Sequence, residues 1–192
     1  MRSMSISFIV SVFDRPQFLN ACLASLNVQT HRGSMTVCAN SRNSDTLNAC
    51  KLVCIYFDAN YRETGQSCDN CYDSANLAAR ETTGEWLCFP SDDSLYVCGF
   101  TEIMLAEARR TAAGLVYCDC VYRREPPWKA YTVLDVEPRM GRIDKTCFIM
   151  RRELFKGFPP HPKGWCDGAL VEQLVRDGVK TAKAPGVLVL HQ

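Results

Sequence analysis

No GxGxxG follows the first strand-like run and no GxxxxGK[ST] occurs anywhere, so the glycine-rich turns that cradle dinucleotides and P-loop phosphates are missing. There is no GxSxG elbow, and the three histidines, His31, His161 and His191, stand in no HExxH, which leaves hydrolase and zincin chemistry without their motifs. No stretch approaches the roughly 18 apolar residues of a membrane span. Met1-Arg2-Ser3-Met4 runs almost directly into a strand-like segment, without the charged region and cleavable apolar core of a leader. A cytoplasmic, reducing compartment with no transmembrane segment is therefore expected.

Net charge is nearly absent as well, at +1, but the sum hides an asymmetry. Residues 1–108 carry 7 basic and 12 acidic side chains, and residues 109–192 carry 15 and 9. Such a division suits an acidic, metal-binding half facing a basic half that meets phosphates or another anionic partner, and it also suits solvated charged faces. Cysteine is abundant, with 12 residues, yet Cys38, Cys54, Cys88 and Cys147 sit inside apolar runs where a reduced thiol acts as a small core residue. The pairs Cys68/Cys71 and Cys118/Cys120 match no common zinc spacing.

The 192 residues, 47% hydrophobic, suffice for one well-buried domain. Ile6 to Phe13 is a nearly continuous apolar run, the pattern of a strand buried on both faces. Pro16 suits the first turn of a helix, and Leu19, Cys22, Leu23 and Leu26 recur on one helical face. Met35 to Ala39 reads as a second strand, Asn40 to Asp45 as a turn, and Val53 to Phe57 as a third strand. Residues 58–69 are irregular, Cys71 to Thr82 is helical, and Glu85 to Phe89 is a fourth strand. A helix around Val97 to Thr111 and a strand Leu115 to Val121 follow. Within the looser stretch 123–163, Tyr131 to Val136 and Cys147 to Arg151 are strands. A helix Asp167 to Arg176 closes at Gly178, before strands Val179 to Ala182 and Val187 to Leu190. The alternation predicts an α/β fold, a three-layer α/β/α sandwich with a mostly parallel central sheet. In such folds ligands bind beyond the carboxyl ends of the strands, where Asp14-Arg15, the Asn40 turn and Asp92-Asp93 converge.

Two accounts fit Asp92-Asp93. With Ser91 they are good helix N-caps, and a helix is expected shortly afterwards. Alternatively, hard carboxylate oxygens bind Mg²⁺ or Mn²⁺, which in turn binds a diphosphate.

The segment "ISFIVSVFDRPQFLNACLASLNVQT" resembles the opening strand, turn and first helix of glycosyltransferase family 2. "NLAARETTGEWLCFPSDDSLY" is similar to that family's Ala-Arg-Asn, Gly-Glu-Tyr and DxDD-containing segment, and "GWCDGALVEQLVRDGVKTAKAPGVLVLHQ" to its Glu-Asp helix and terminal valine-rich strand with His. The similarity spans nearly the whole chain and implies a GT-A fold in a single domain. Residues 1–95 would then form the nucleotide-sugar and metal-binding half, and 96–192 the acceptor-binding half. It implies an inverting transferase that moves a sugar from a nucleoside-diphosphate sugar to an acceptor hydroxyl. Asp93 would hold Mn²⁺ or Mg²⁺ with His191. Asp14, Arg15, Asn40, Arg80 and Asp92 would serve the nucleotide-sugar, and Asp167 would be the general base rather than a helix cap. Three positions depart from the family: Pro90 replaces the first acid of DxDD, Asn40-Ser41 replaces an Asp-Asp, and Cys166 replaces the Glu beside the base.

The implied acceptor side is basic. Arg123 to Lys163 holds 10 basic and 5 acidic residues with Trp128 and Tyr131 interspersed. Phosphate contact plus stacking would suit DNA carrying a hydroxymethylated base; small saccharide and lipid-linked acceptors stay open, and the same residues also suit a solvated loop with its aromatics in the core. Two other readings use the same residues: a GT-A-like module that binds sugar nucleotides without transfer, and a nucleic-acid-binding protein.

Overall fold

The computed structural model describes residues 4–64, 70–123 and 131–192. Strand β1 (Ile6–Phe13) is buried along all but its last residue. Pro16 opens α1 (Pro16–Asn27), whose Leu19, Cys22, Leu23 and Leu26 are all buried, as their spacing requires. After β2 (Ser34–Asn40), the Asn43 side chain accepts from the amides of Asp45 and Thr46 and starts α2 (Ser44–Tyr56). Asn70 caps α3 (Cys71–Ala79) in the same way, on the amides of Tyr72 and Asp73. The third strand is β3 (Asn60–Glu63), so the apolar run Val53 to Phe57 is not a strand but the end of α2 and its cap. That run misleads because α2 leaves Leu52, Ile55 and Tyr56 exposed and buries only Cys50 and Cys54 fully.

The chain continues through β4 (Trp86–Cys88), β5 (Ser94–Tyr96), α4 (Phe100–Thr111), β6 (Leu115–Arg123), β7 (Tyr131–Leu134), β8 (Phe148–Arg151), α5 (Cys166–Arg176) and β9 (Thr181–His191). The expected strands Val179 to Ala182 and Val187 to Leu190 merge into β9, which passes through Pro185-Gly186 and shifts register against β6. The sheet order is β3-β2-β1-β4-β8-β6-β9-β5, with β7 paired to β6. Among these strands β5, β7 and β8 run against the rest, so the sheet is mixed and mostly parallel. Helices α1 and α2 touch each other over the β1–β3 side, while the return crossover through α3 packs on β1 and β2. Right-handed crossovers place that return on the opposite face, completing three layers.

Two close approaches hold the site's supports. Gly84 precedes β4, and a Cβ there would lie 2.6 Å from the Ser7 amide nitrogen. Gly168 in the first turn of α5 would bring a Cβ to 2.7 Å from Met140 Cα. Side chains at either place would push backbone away from backbone.

Candidate active site

The five residues between β4 and β5, 89–93, carry the chain from the middle of the sheet to the strand at its far end. Beyond β4 the chain stays beside β1: Ser11 donates its amide to Pro90 O at 3.1 Å, and the Asp92 amide donates to Ser11 O at 3.2 Å. Asp92 and Asp93 therefore leave the sheet at the carboxyl end of β1. They are followed at once by strand β5, and α4 begins only after Gly99, so neither aspartate caps a helix. This overturns the helix-cap account. Both carboxylates are nearly inaccessible, at 1% and 5% exposure.

Arg15 holds the pair. Its Nη2 donates to Asp92 Oδ1 and its Nη1 to Asp93 Oδ2, both at 2.8 Å. The remaining oxygens, Asp92 Oδ2 and Asp93 Oδ1, are buried without a hydrogen-bond donor. Burial pushes the Asp92 carboxyl up to about 6, with Asp93 adding to the rise and Arg15 and Lys145 opposing it. Asp14, just before Arg15, turns the chain at φ +51°, a left-handed conformation that Asp tolerates better than most residues. Asn40 ends β2 directly opposite Phe13, so it too reaches this end of the sheet.

His191 is fixed by strand pairing rather than frayed. Its partner in β5 is Ser94, the residue after Asp93. The His191 Nδ1 lies 3.1 Å from Ser94 Oγ and 3.4 Å from Asp93 Oδ1, and the ring stands against Tyr122 with centroids 5.2 Å apart. Asp93 and His191, far apart in sequence, thus face each other.

Tyr122 also lines a neighbouring cleft of about 540 Å³ that contains Asp144 and Asp167. Asp167 lies in the first turn of α5, whose cap is Trp165, so it is not the helix cap. Its Oδ2 accepts from the Lys145 amide at 2.9 Å and its Oδ1 from the Gly168 amide at 2.8 Å. Burial, then the neighbouring Asp144, raise its pKa to about 6 against these two amides and the Lys145 charge. A buried carboxylate poised near neutrality can accept a proton.

Lys145 carries no motif and was visible in the sequence only as one basic residue among the ten of 123–163. It is buried, and its Nζ donates to Phe89 O at 3.3 Å and Pro90 O at 3.4 Å while its amide holds Asp167. One residue thereby ties the Asp92-Asp93 link to the Asp167 cleft. Asp144 escaped sequence reading in the same way.

Arg80 is not part of this constellation. The amino end of α3 meets β1 where Ser11 Oγ donates to Cys71 O. Arg80 caps the other end of that nine-residue helix, about 13 Å away, beside Arg152 and the start of β4. Of the basic and aromatic residues expected on the acceptor side, Arg124, Trp128 and Lys129 lie outside the described residues, as do Cys68 and Asp69. Among the described residues no helix is long and apolar enough to cross a membrane.

No protein-family model and no curated protein sequence matches the chain. Solved structures do. S. aureus TarS superposes at a TM-score of 0.77 with 13% identity, over 98% of this chain and 37% of TarS. Mannosyltransferase PcManGT from Pyrobaculum calidifontis, solved with GDP-Man and Mn²⁺, gives 0.73 with 18% identity, over 97% of this chain and 56% of its own. Glucosyl-3-phosphoglycerate synthase from Mycobacterium tuberculosis gives 0.71 with 15% identity, over 99% and 72%. The chain spans 37% of full TarS and 60% of its fragment 1–349. It therefore has the α/β fold of GT-A transferase structures, with a mixed and mostly parallel sheet.

Proposed function

We propose that this chain is a nucleotide-sugar-dependent glycosyltransferase domain that transfers a sugar to an acceptor hydroxyl with inversion. The observation that carries this reading is the meeting, at one end of the sheet, of the Arg15–Asp92–Asp93–His191 cluster with a cleft holding a buried carboxylate raised to about 6. TarS has been solved with UDP-GlcNAc and PcManGT with GDP-Man and Mn²⁺, which fits the same division of labour.

A divalent cation fits the residues present. Two buried carboxylate oxygens lack donors, Asp93 Oδ1 faces His191 Nδ1, and Mg²⁺ or Mn²⁺ needs few protein ligands when phosphates and water complete its shell. Asp93 and His191 would hold it, and once bound it offsets charge growing on the leaving diphosphate. The absence of an acid at Pro90 limits the protein's share to these two. Asp92 keeps Arg15 in place, and Arg15, half exposed, is the cation that can turn to a phosphate oxygen. Asn40 and Asp14 border the nucleotide's entry.

On the acceptor side, Asp167 removes the hydroxyl proton as the nucleophile attacks from the face opposite the diphosphate. The amides of Lys145 and Gly168 fix the carboxylate's orientation, and Asp144 keeps its basicity high. The cleft admits a saccharide hydroxyl or the hydroxymethyl group of a DNA base. Release of nucleoside diphosphate from sugar nucleotides in the presence of Mn²⁺ tests the proposal. Turnover is expected in the wild type and not in Asp93→Asn or Asp167→Asn, and undiminished turnover in both variants would refute it.

A further inference from the structure

The cavity that receives Arg80 differs from the cleft of Asp167 in its charge. It measures about 530 Å³, and among the described residues its charged lining is Arg80, Arg152 and Lys156, with no carboxylate. Arg152 is anchored through neutral oxygens only: Nε on Gly84 O at 2.7 Å, Nη1 on Ala79 O at 3.1 Å and Nη2 on Thr82 Oγ1 at 2.7 Å. The guanidinium is held in place, its charge is not neutralised, and an N–H remains on each terminal nitrogen. Arg80 and Lys156 are exposed, and Glu81, the acid beside Arg80, is taken by Arg62. Phe155, Phe158 and Pro159 add an apolar wall.

This cavity is one end of a trough. Tyr72, Asn76, Ala79 and Arg80 recur on one stripe of α3, and the wall facing them, Phe158 to Pro160, borders both this cavity and a smaller one of about 270 Å³ containing Tyr72. Asn76 marks the saddle between them, exchanging hydrogen bonds with the Phe158 backbone at 3.1 and 2.6 Å. Tyr72 and Gly164 then line the Asp167 cleft itself. The trough thus follows the length of α3, about 13 Å, as three successive hollows between fixed positive charge and the buried carboxylate, pinched where Asn76 bonds the Phe158 backbone and where the Tyr72 and Phe158 rings meet edge-on at 5.1 Å.

We propose that the Arg80–Arg152–Lys156 cavity is an anion subsite that binds a phosphate group carried by the acceptor, whose hydroxyl lies at Asp167. The acceptor part rests on Asp167 being the transferase base; the anion site does not. A phosphate there would take the free N–H groups of Arg152 and pair with the two mobile cations, and the acceptor body would follow the aromatic trough.

Calorimetric titration with inorganic phosphate and with a short oligothymidylate, in EDTA and without nucleotide, tests it. Saturable phosphate binding is expected in the wild type, weakened about tenfold or more in the Arg80→Glu/Lys156→Glu double variant and unchanged in Lys51→Glu, a charge reversal on the exposed face of α2. All the reversed residues are exposed, and thermal melts verify that the variants fold. Absence of saturable binding, or its loss in Lys51→Glu with retention in the double variant, would overturn the anion site. The oligothymidylate is expected to bind at least tenfold more tightly than phosphate, because it reaches along the trough. Equal affinity would overturn the acceptor assignment and leave a site for free phosphate. Neither result depends on donor binding, so failure of sugar-nucleotide recognition is separately visible.

Discussion

Asp167 and Arg15 carry the sharpest expectations at the scale of single residues. With Asp167 raised to about 6, the proposed base is lost on protonation, so kcat/KM for transfer should fall as pH drops through about 6. A pH–rate profile checks this, and Asp167→Asn should lower kcat by about 10²–10⁴-fold while sugar-nucleotide binding persists. Arg15→Gln strands two buried carboxylates. Because Arg15 is 46% exposed, water screens part of the loss, and a destabilisation of about 1–2 kcal/mol is expected by denaturant melt. Mn²⁺ should then raise the Tm of Arg15→Gln more than that of the wild type, since the cation no longer competes with a guanidinium. Asp93, His191 and Asp167, the residues proposed for the site, could be picked out in the sequence because each sits at a motif position near a strand or helix end. Lys145 and Asp144 could not, since their role arises from a fold-back that brings residues 144–145 beside both 89–90 and 167. Arg80, expected at the nucleotide-sugar, lies at the carboxyl end of α3, away from the Asp92-Asp93 cluster, for the converse reason: a position within a helix does not reveal which end of the sheet that helix end faces.

Elements place these side chains more than local propensity does. Helix α5 can set Asp167 against the Lys145 amide only because Gly168 lets its first turn approach Met140. Gly168→Ala should cost about 1–3 kcal/mol of stability by overpacking, and should lower transfer by about tenfold or more as the carboxylate shifts. Chemical denaturation and steady-state assays measure the two effects. Most elements were legible from periodicity, β1 and α1 above all, because each buries what its period predicts. The errors fall where burial and period part company. The Val53 to Phe57 run has β-forming composition but sits on a half-exposed helix, and the three-residue β5 is too short to show a period at all. That missing strand is what made Asp92 and Asp93 resemble helix caps, so the element error and the site ambiguity were one problem.

For the whole molecule, the site is held at a cost to stability that pH should reveal. Asp92 and Asp167 both have folded pKa values raised to about 6, so their contribution is fully present below the unfolded value near 3.9 and is lost as pH rises through about 6. Between pH 4 and 7 these two acids should make the fold less stable with rising pH, and the Asp92→Asn/Asp167→Asn double variant should lack that component of the slope in pH-dependent melts. The overall architecture, three layers around a mostly parallel sheet, followed from the alternation of elements; the curl that returns β9 and β5 to the β1–β4 side did not, because it depends on long-range pairing. That curl brings His191 to Asp93 and makes one site from both ends of the chain. The most direct test is a thermal-shift screen of nucleoside-diphosphate sugars with Mn²⁺ on wild type, Asp93→Asn and Asp167→Asn. At least one donor should stabilise the wild type and Asp167→Asn only when Mn²⁺ is present, and should leave Asp93→Asn unmoved; stabilisation of Asp93→Asn equal to that of the wild type, or of no protein by any donor, would contradict the account.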